Sequence, residues 1–159
     1  MMRIAFYNGR ATGAKMVHKV ILAVSDPFTH AELIFSDHLS YSSEYGIGPR
    51  FKKITYSHPD RWFIVDLPYI TQEMERRIRY RAELRAALQR AGLMGYDTKA
   101  AIGCGIPGDH NTIWADFCSE TIYLVVAPEV ALPDLVTDMF PVRLLQMIEI
   151  ISDVQKLTR

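Results

Sequence analysis

The sequence predicts an α+β fold in which an antiparallel sheet of about four to six strands packs against helices within a single domain. Three observations carry that expectation. Hydrophobic residues make up 49% of the 159 positions, which suits a globular chain with one real core. Between Ala31 and Leu67 short apolar runs follow one another, each stopped by turn residues, and consecutive short strands pair as an antiparallel meander. Stretches on either side carry apolar residues at helical spacing.

Ile4 to Tyr7 is a strand stopped by Asn8-Gly9. Lys15 to Val24 places Met16, Val17, Val20, Ile21 and Val24 at helical spacing, and Asp26-Pro27 ends it. Ala31 to Phe35 and Leu39 to Glu44 read as two arms of a hairpin about the turn Ser36-Asp37-His38, with Gly46-Ile47-Gly48-Pro49 closing the second arm. Phe51 to Tyr56 and Trp62 to Leu67 follow as strands separated by Ser57-His58-Pro59-Asp60. Thr71 to Ala91 is the longest helix: Thr71 suits the N-cap, Glu73 and Glu75 the first turn, and Gly92 the stop. Tyr80, Leu84, Ala87, Leu88 and Ala91 share one of its faces, and Glu73–Arg77 and Glu75–Arg79 are spaced as i,i+4 pairs. Asp97 to Ile106 is a short helix broken by Pro107-Gly108, and a polar loop, Asp109 to Thr112, follows. Thr121 to Ala127 continues a helix that starts near Cys118, and Pro141 to Ile151 is the last one.

Eighteen basic residues balance eighteen acidic ones, so no global field attracts nucleic acid or anionic lipid, and no nucleic-acid partner is expected. Six arginines, Arg76, Arg77, Arg79, Arg81, Arg85 and Arg90, lie on the long helix without an interleaved aromatic platform, so they read as a solvated face. Met1 to Phe6 is too short and polar for a signal h-region, and no apolar run approaches a membrane span. The expectation is a protein made in the cytoplasm, without membrane insertion, whose two cysteines, Cys104 and Cys118, are free thiols.

Cys118 carries the strongest chemical signal. Asp116 is a suitable N-cap, so Cys118 falls in a first helical turn, where unpaired amides and the helix dipole favour thiolate. The same amides can donate to a developing oxyanion. Negative charge on Asp116 and Glu120 opposes this, and the commoner role of a free cysteine is a buried structural thiol. His30, at the entrance of a strand, is the base candidate among five histidines; His18, His38, His58 and His110 read as solvated. A base needs an orienting partner. With a three-residue turn at Asp37 to Leu39, residue 32 faces residue 44, and His30, Glu32 and Glu44 share one face. Glu44 is the first choice and Glu32 the fallback. No Cys-x-x-Cys, His-Glu-x-x-His or glycine-rich phosphate loop is present, so neither metal nor cofactor is expected.

These residues resemble the circularly permuted NlpC-type papain-like cysteine hydrolases, including a small-protein branch frequent in bacteriophages and prophages. The matching pieces are Thr29-His30-Ala31-Glu32-Leu33-Ile34-Phe35-Ser36-Asp37, Tyr41-Ser42-Ser43-Glu44, Gly48-Pro49-Arg50-Phe51-Lys52, Asp60-Arg61-Trp62, Gly95-Tyr96-Asp97 and Phe117-Cys118-Ser119-Glu120. They occur in family order, histidine strand first and cysteine helix last. The resemblance implies a papain-like sheet, Cys118 as nucleophile, His30 as base and a polar third residue that falls best on Glu44. Glu32, Tyr41, Arg50 and Trp114 are the candidate substrate contacts beside them. The loop from Ile106 to Ala115, which holds Trp114, matches no family segment, and Ala31 follows His30 where the family often has a larger residue or glycine. The expected activity is thiol hydrolysis of a small peptide or amide, such as a cell-wall peptide, through an acyl-enzyme. Acyl transfer on lipids or thioesters, or a non-catalytic phage-associated binding module, are the alternatives.

Overall fold

The computed structural model describes residues 1–10, 22, 26–54, 56, 58–95, 118–130 and 141–157. Five strands, β1 (Arg3–Asn8), β2 (Phe28–Ile34), β3 (Leu39–Glu44), β4 (Gly48–Lys53) and β5 (Trp62–Asp66), form one antiparallel sheet in the order β4-β3-β2-β1-β5. Among the described residues three α-helices accompany it: α1 (Gln72–Arg90), α2 (Cys118–Val130) and α3 (Pro141–Leu157). This is the α+β class with an antiparallel sheet. The expected helices at Lys15 to Val24 and Asp97 to Ile106 lie almost wholly outside the described residues.

The meander holds from β2 to β4 and fails at β5, which pairs with β1 instead of β4. α1 packs against β4, and the returning chain pairs with the free edge of β1. The Leu67 N–H then donates to the Met2 carbonyl at 3.0 Å. Gly48 and Pro49, expected in a turn, belong to β4. Gly48 has φ 101°, and a Cβ there would meet the backbone of Gly95 at 3.0 Å, so this crossing point needs glycine.

Strand alternation divides the sheet into two faces. Ile4, Phe6, Ala31, Leu33 and Tyr41 turn toward the helices and join Ile78, Ala82, Ile122, Val125, Leu144 and Ile148 in one core cluster. His30, Glu32, Ser42, Glu44, Arg50 and Lys52 occupy alternate positions and form the other face of β2, β3 and β4.

Thr71 caps α1, its hydroxyl accepting the Met74 N–H at 3.2 Å. The face α1 buries is Ile78, Ala82 and Ala86, whereas Tyr80 and Leu84 are exposed. The two alanines let that part of the helix pack closely, which a tyrosine there would prevent. Glu73–Arg77 forms as spaced, at 3.2 Å. Glu75 and Arg79 instead reach the β2–β3 turn. Glu75 accepts the Ser36 N–H at 2.7 Å, and Arg79 donates to Asp37 at 2.7 Å while lying 4.3 Å from the Phe35 ring centre. The arginines are thus not simply a solvated face: Arg77 and Arg81 both grip Glu129 of α2, at 2.9 and 2.6 Å. No helix among the described residues is long and apolar enough to cross a membrane.

Candidate active site

Cys118 is the first residue of α2 and is 3% exposed. The helix packs against β2 and β3, anchored by Tyr41, whose hydroxyl shares a 3.0 Å hydrogen bond with Thr121. Tyr41 is fully buried, so it braces the helix from within the core and does not line a cleft, unlike the substrate contact expected from the sequence. Trp114, Asp116 and Cys104 lie outside the described residues.

Strands β2 and β3 pair only at Leu33–Tyr41 and Ile34–Ser40. Beyond these pairs the Ala31 backbone finds other partners: its carbonyl accepts from the Ser42 hydroxyl at 2.7 Å, and its N–H donates to the Cys118 sulfur. The start of α2 therefore fills the gap where the ladder opens. The thiol from the helix layer meets His30 there, and the two side chains are hydrogen-bonded.

The imidazole is held from below. Its Nε2 lies 3.3 Å from Oε1 of Glu32, a carboxylate with no exposed surface. The Lys52 ammonium contacts the same oxygen; these are ion-pair contacts, and neither oxygen of Glu32 has a well-formed hydrogen bond. Trp62 stands edge-on to the imidazole at 6.2 Å between ring centres, supported by Tyr7 and Tyr56 at 5.2 and 4.7 Å.

Glu44, the first choice for the orienting residue, is ion-paired with Arg50 instead. The expected register also shifts. The turn is Ser36 to His38, closed by the Phe35 N–H on the Leu39 carbonyl at 2.9 Å, and Leu33 faces Tyr41, two residues earlier than a 32–44 pairing requires. An even shift preserves the face, so Glu44 stays on the side of His30 and lines the cleft beside it. Lys52 also reaches this face, two residues on from Arg50 along β4, a placement the period of two of a strand carries. His38 and His58 are exposed, and His18 and His110 lie outside the described residues.

Burial is the largest influence on Cys118 and pushes its pKa up. The His30 charge, its hydrogen bond, and the N–H groups of Ala31 and Ser119 outweigh it, and the net direction is down. Burial likewise works against a charged His30, but the Cys118 thiolate and then Glu32 raise its pKa to about 9. Burial also opposes ionised Glu32, which the His30 and Lys52 contacts nevertheless hold at about 2. The arrangement thus favours a thiolate beside an imidazolium over a carboxylate, with the N–H groups of Ala31 and Ser119 facing the sulfur. Among the described residues no group of His, Cys, Asp and Glu could hold a metal ion.

No protein-family model matches the chain, and no curated protein or solved structure matches it significantly.

Proposed function

We infer that this chain is a cysteine hydrolase acting on an amide, with Cys118 as nucleophile, His30 as general base and acid, and Glu32 as the residue that orients His30. The observation that carries the reading is the direct hydrogen bond between His30 and a cysteine at a helix start, with a fully buried carboxylate against Nε2. With Nε2 held by Glu32, Nδ1 is left to take the thiol proton. The thiolate attacks the carbonyl carbon, and the N–H groups at the start of α2 receive the developing oxyanion. His30 then protonates the leaving amine, removes a proton from water, and that water releases the acid from the thioester.

The reading keeps the permuted order of NlpC-type enzymes, histidine strand before cysteine helix, and extends to a papain-like fold and a small peptide such as a cell-wall fragment. Glu32 in place of Glu44 puts the third residue on the histidine strand itself. The test is alkylation of the intact protein by iodoacetamide at neutral pH, with adducts mapped by mass spectrometry. Selective modification of Cys118 that depends on His30 is expected. Equal labelling of Cys104 and Cys118, unchanged in His30→Ala, removes the hypothesis.

A further inference from the structure

A shallow cleft opens beside His30, with about 170 Å³ of empty space counting its mouth, lined by His30, Ser42, Glu44, Arg50 and Lys52. Register places these groups together: Arg50 lies opposite Ser42, Lys52 opposite Ser40, and Glu44 opposite Gly48. Most of their hydrogen-bonding capacity is already committed. The Ser42 hydroxyl donates to Ala31 at 2.7 Å, turning its proton away from the cleft. Lys52 serves Glu32, and Glu44 accepts from Arg50.

Arg50 is the exception. Its Nε is buried and has no acceptor, although a guanidinium presents a planar fork of donors suited to two acceptor oxygens at once. A buried N–H without a partner is costly, and the side chain that carries it lines the cleft next to the proposed base. Its present partner, Glu44, is 41% exposed, so the carboxylate can turn into water at little cost and release the outer edge of the guanidinium.

We propose that Arg50 is the specificity residue of this cleft and binds a carboxylate of the substrate, with Glu44 occupying that place until substrate arrives. The substrate class is therefore an amide with a free carboxylate near the scissile bond. This proposal rests on the Cys118–His30 reading, because it names what that site accepts.

The test compares two thiol reagents of similar size, anionic iodoacetate and neutral iodoacetamide, on the full chain, reading the rate constants at Cys118 by mass spectrometry. Their ratio cancels differences in thiolate content between variants. Arg50→Gln is expected to lower the iodoacetate-to-iodoacetamide ratio about tenfold, the equivalent of one charge-assisted hydrogen bond. Glu44→Gln is expected to raise it, because the competing carboxylate is gone. A ratio unmoved by Arg50→Gln, while iodoacetamide still labels Cys118 in a His30-dependent way, overturns the carboxylate site and leaves the hydrolase reading standing. A second measurement does not involve the thiol: glutarate titrated into the protein should shift the Arg50 Nε–H resonance saturably, and more tightly in Glu44→Gln. Absence of that shift overturns the proposal whatever the alkylation shows.

Discussion

Two carboxylates largely withdrawn from water, Glu129 and Glu32, sit among cations and differ in how completely they are satisfied. Glu129, with its side chain 7% exposed, has both oxygens occupied, Oε2 by Arg77 and Oε1 by Arg81, and Arg81 also donates to the Val125 carbonyl at 2.9 Å. Every partner there is a guanidinium that stays charged at any ordinary pH. Glu32 has one oxygen in ion-pair contact with both His30 and Lys52 and a well-formed hydrogen bond at neither oxygen, and one of those neighbours titrates. The first cluster is closed and serves to fix α2 against α1. The second is open on the side of a titratable ring, which is what proton transfer requires.

The largest test of that contrast is His30→Ala. Without the imidazolium the thiol returns toward its ordinary range, and the iodoacetamide rate at Cys118 at neutral pH should fall about 10²-fold. A change within twofold would make the site as inert as the Glu129 cluster. Glu129→Ala should act the other way round. Removing the carboxylate from two arginines should cost about 2 kcal/mol in urea unfolding, between the values for exposed and buried pairs, while the folded protein keeps its Cys118 reactivity. Unchanged stability would mean that the closed cluster is not the tie between helices.

Glu32→Gln sharpens the comparison through pH. His30 is charged below about 9, so hydrolysis of an activated ester should decline at high pH with a limb near that value. Losing the carboxylate weakens the imidazolium, so the limb moves to lower pH, and the rate at pH 9 drops about tenfold. A limb that stays in place would remove Glu32 from its orienting role. The same substitution reports on stability. Because the Glu32 pKa is depressed in the folded state, to about 2, its contribution is present above the unfolded value and is lost as pH falls toward 2. The acid side of the stability profile should flatten in the variant. The smallest effect belongs to Tyr56→Phe. Burial pushes the Tyr56 pKa up, and its hydroxyl is buried with no partner, so removing it should cost no stability and raise it by up to about 1 kcal/mol. A loss would reveal a hydrogen bond to Glu32.

Much of the sheet was legible because strands and turns are local. The Asn8-Gly9 stop, the hairpin about Ser36-Asp37-His38 and the Thr71 cap all act within a few residues. The neighbour of β5 was not legible, since a strand pairs with a sheet edge that can lie far away in sequence, and here that edge is β1. Nor was the buried face of α1, where Ile78, Ala82 and Ala86 are buried and Tyr80 and Leu84 are exposed; the face a helix turns inward is fixed by what it packs on.

The sequence by itself determined which side chains have the chemistry: a cysteine at a helix start, a histidine on an earlier strand, and two glutamates of the same parity. Parity survives a two-residue shift of register, so both glutamates reached the face of His30. Only the tertiary structure shows which of them lies against His30. Where β2 and β3 part, α2 brings Cys118 to His30, Lys52 converges on Glu32, and Arg50 takes Glu44 away. That choice depends on distances between strands, which no local spacing along one strand contains.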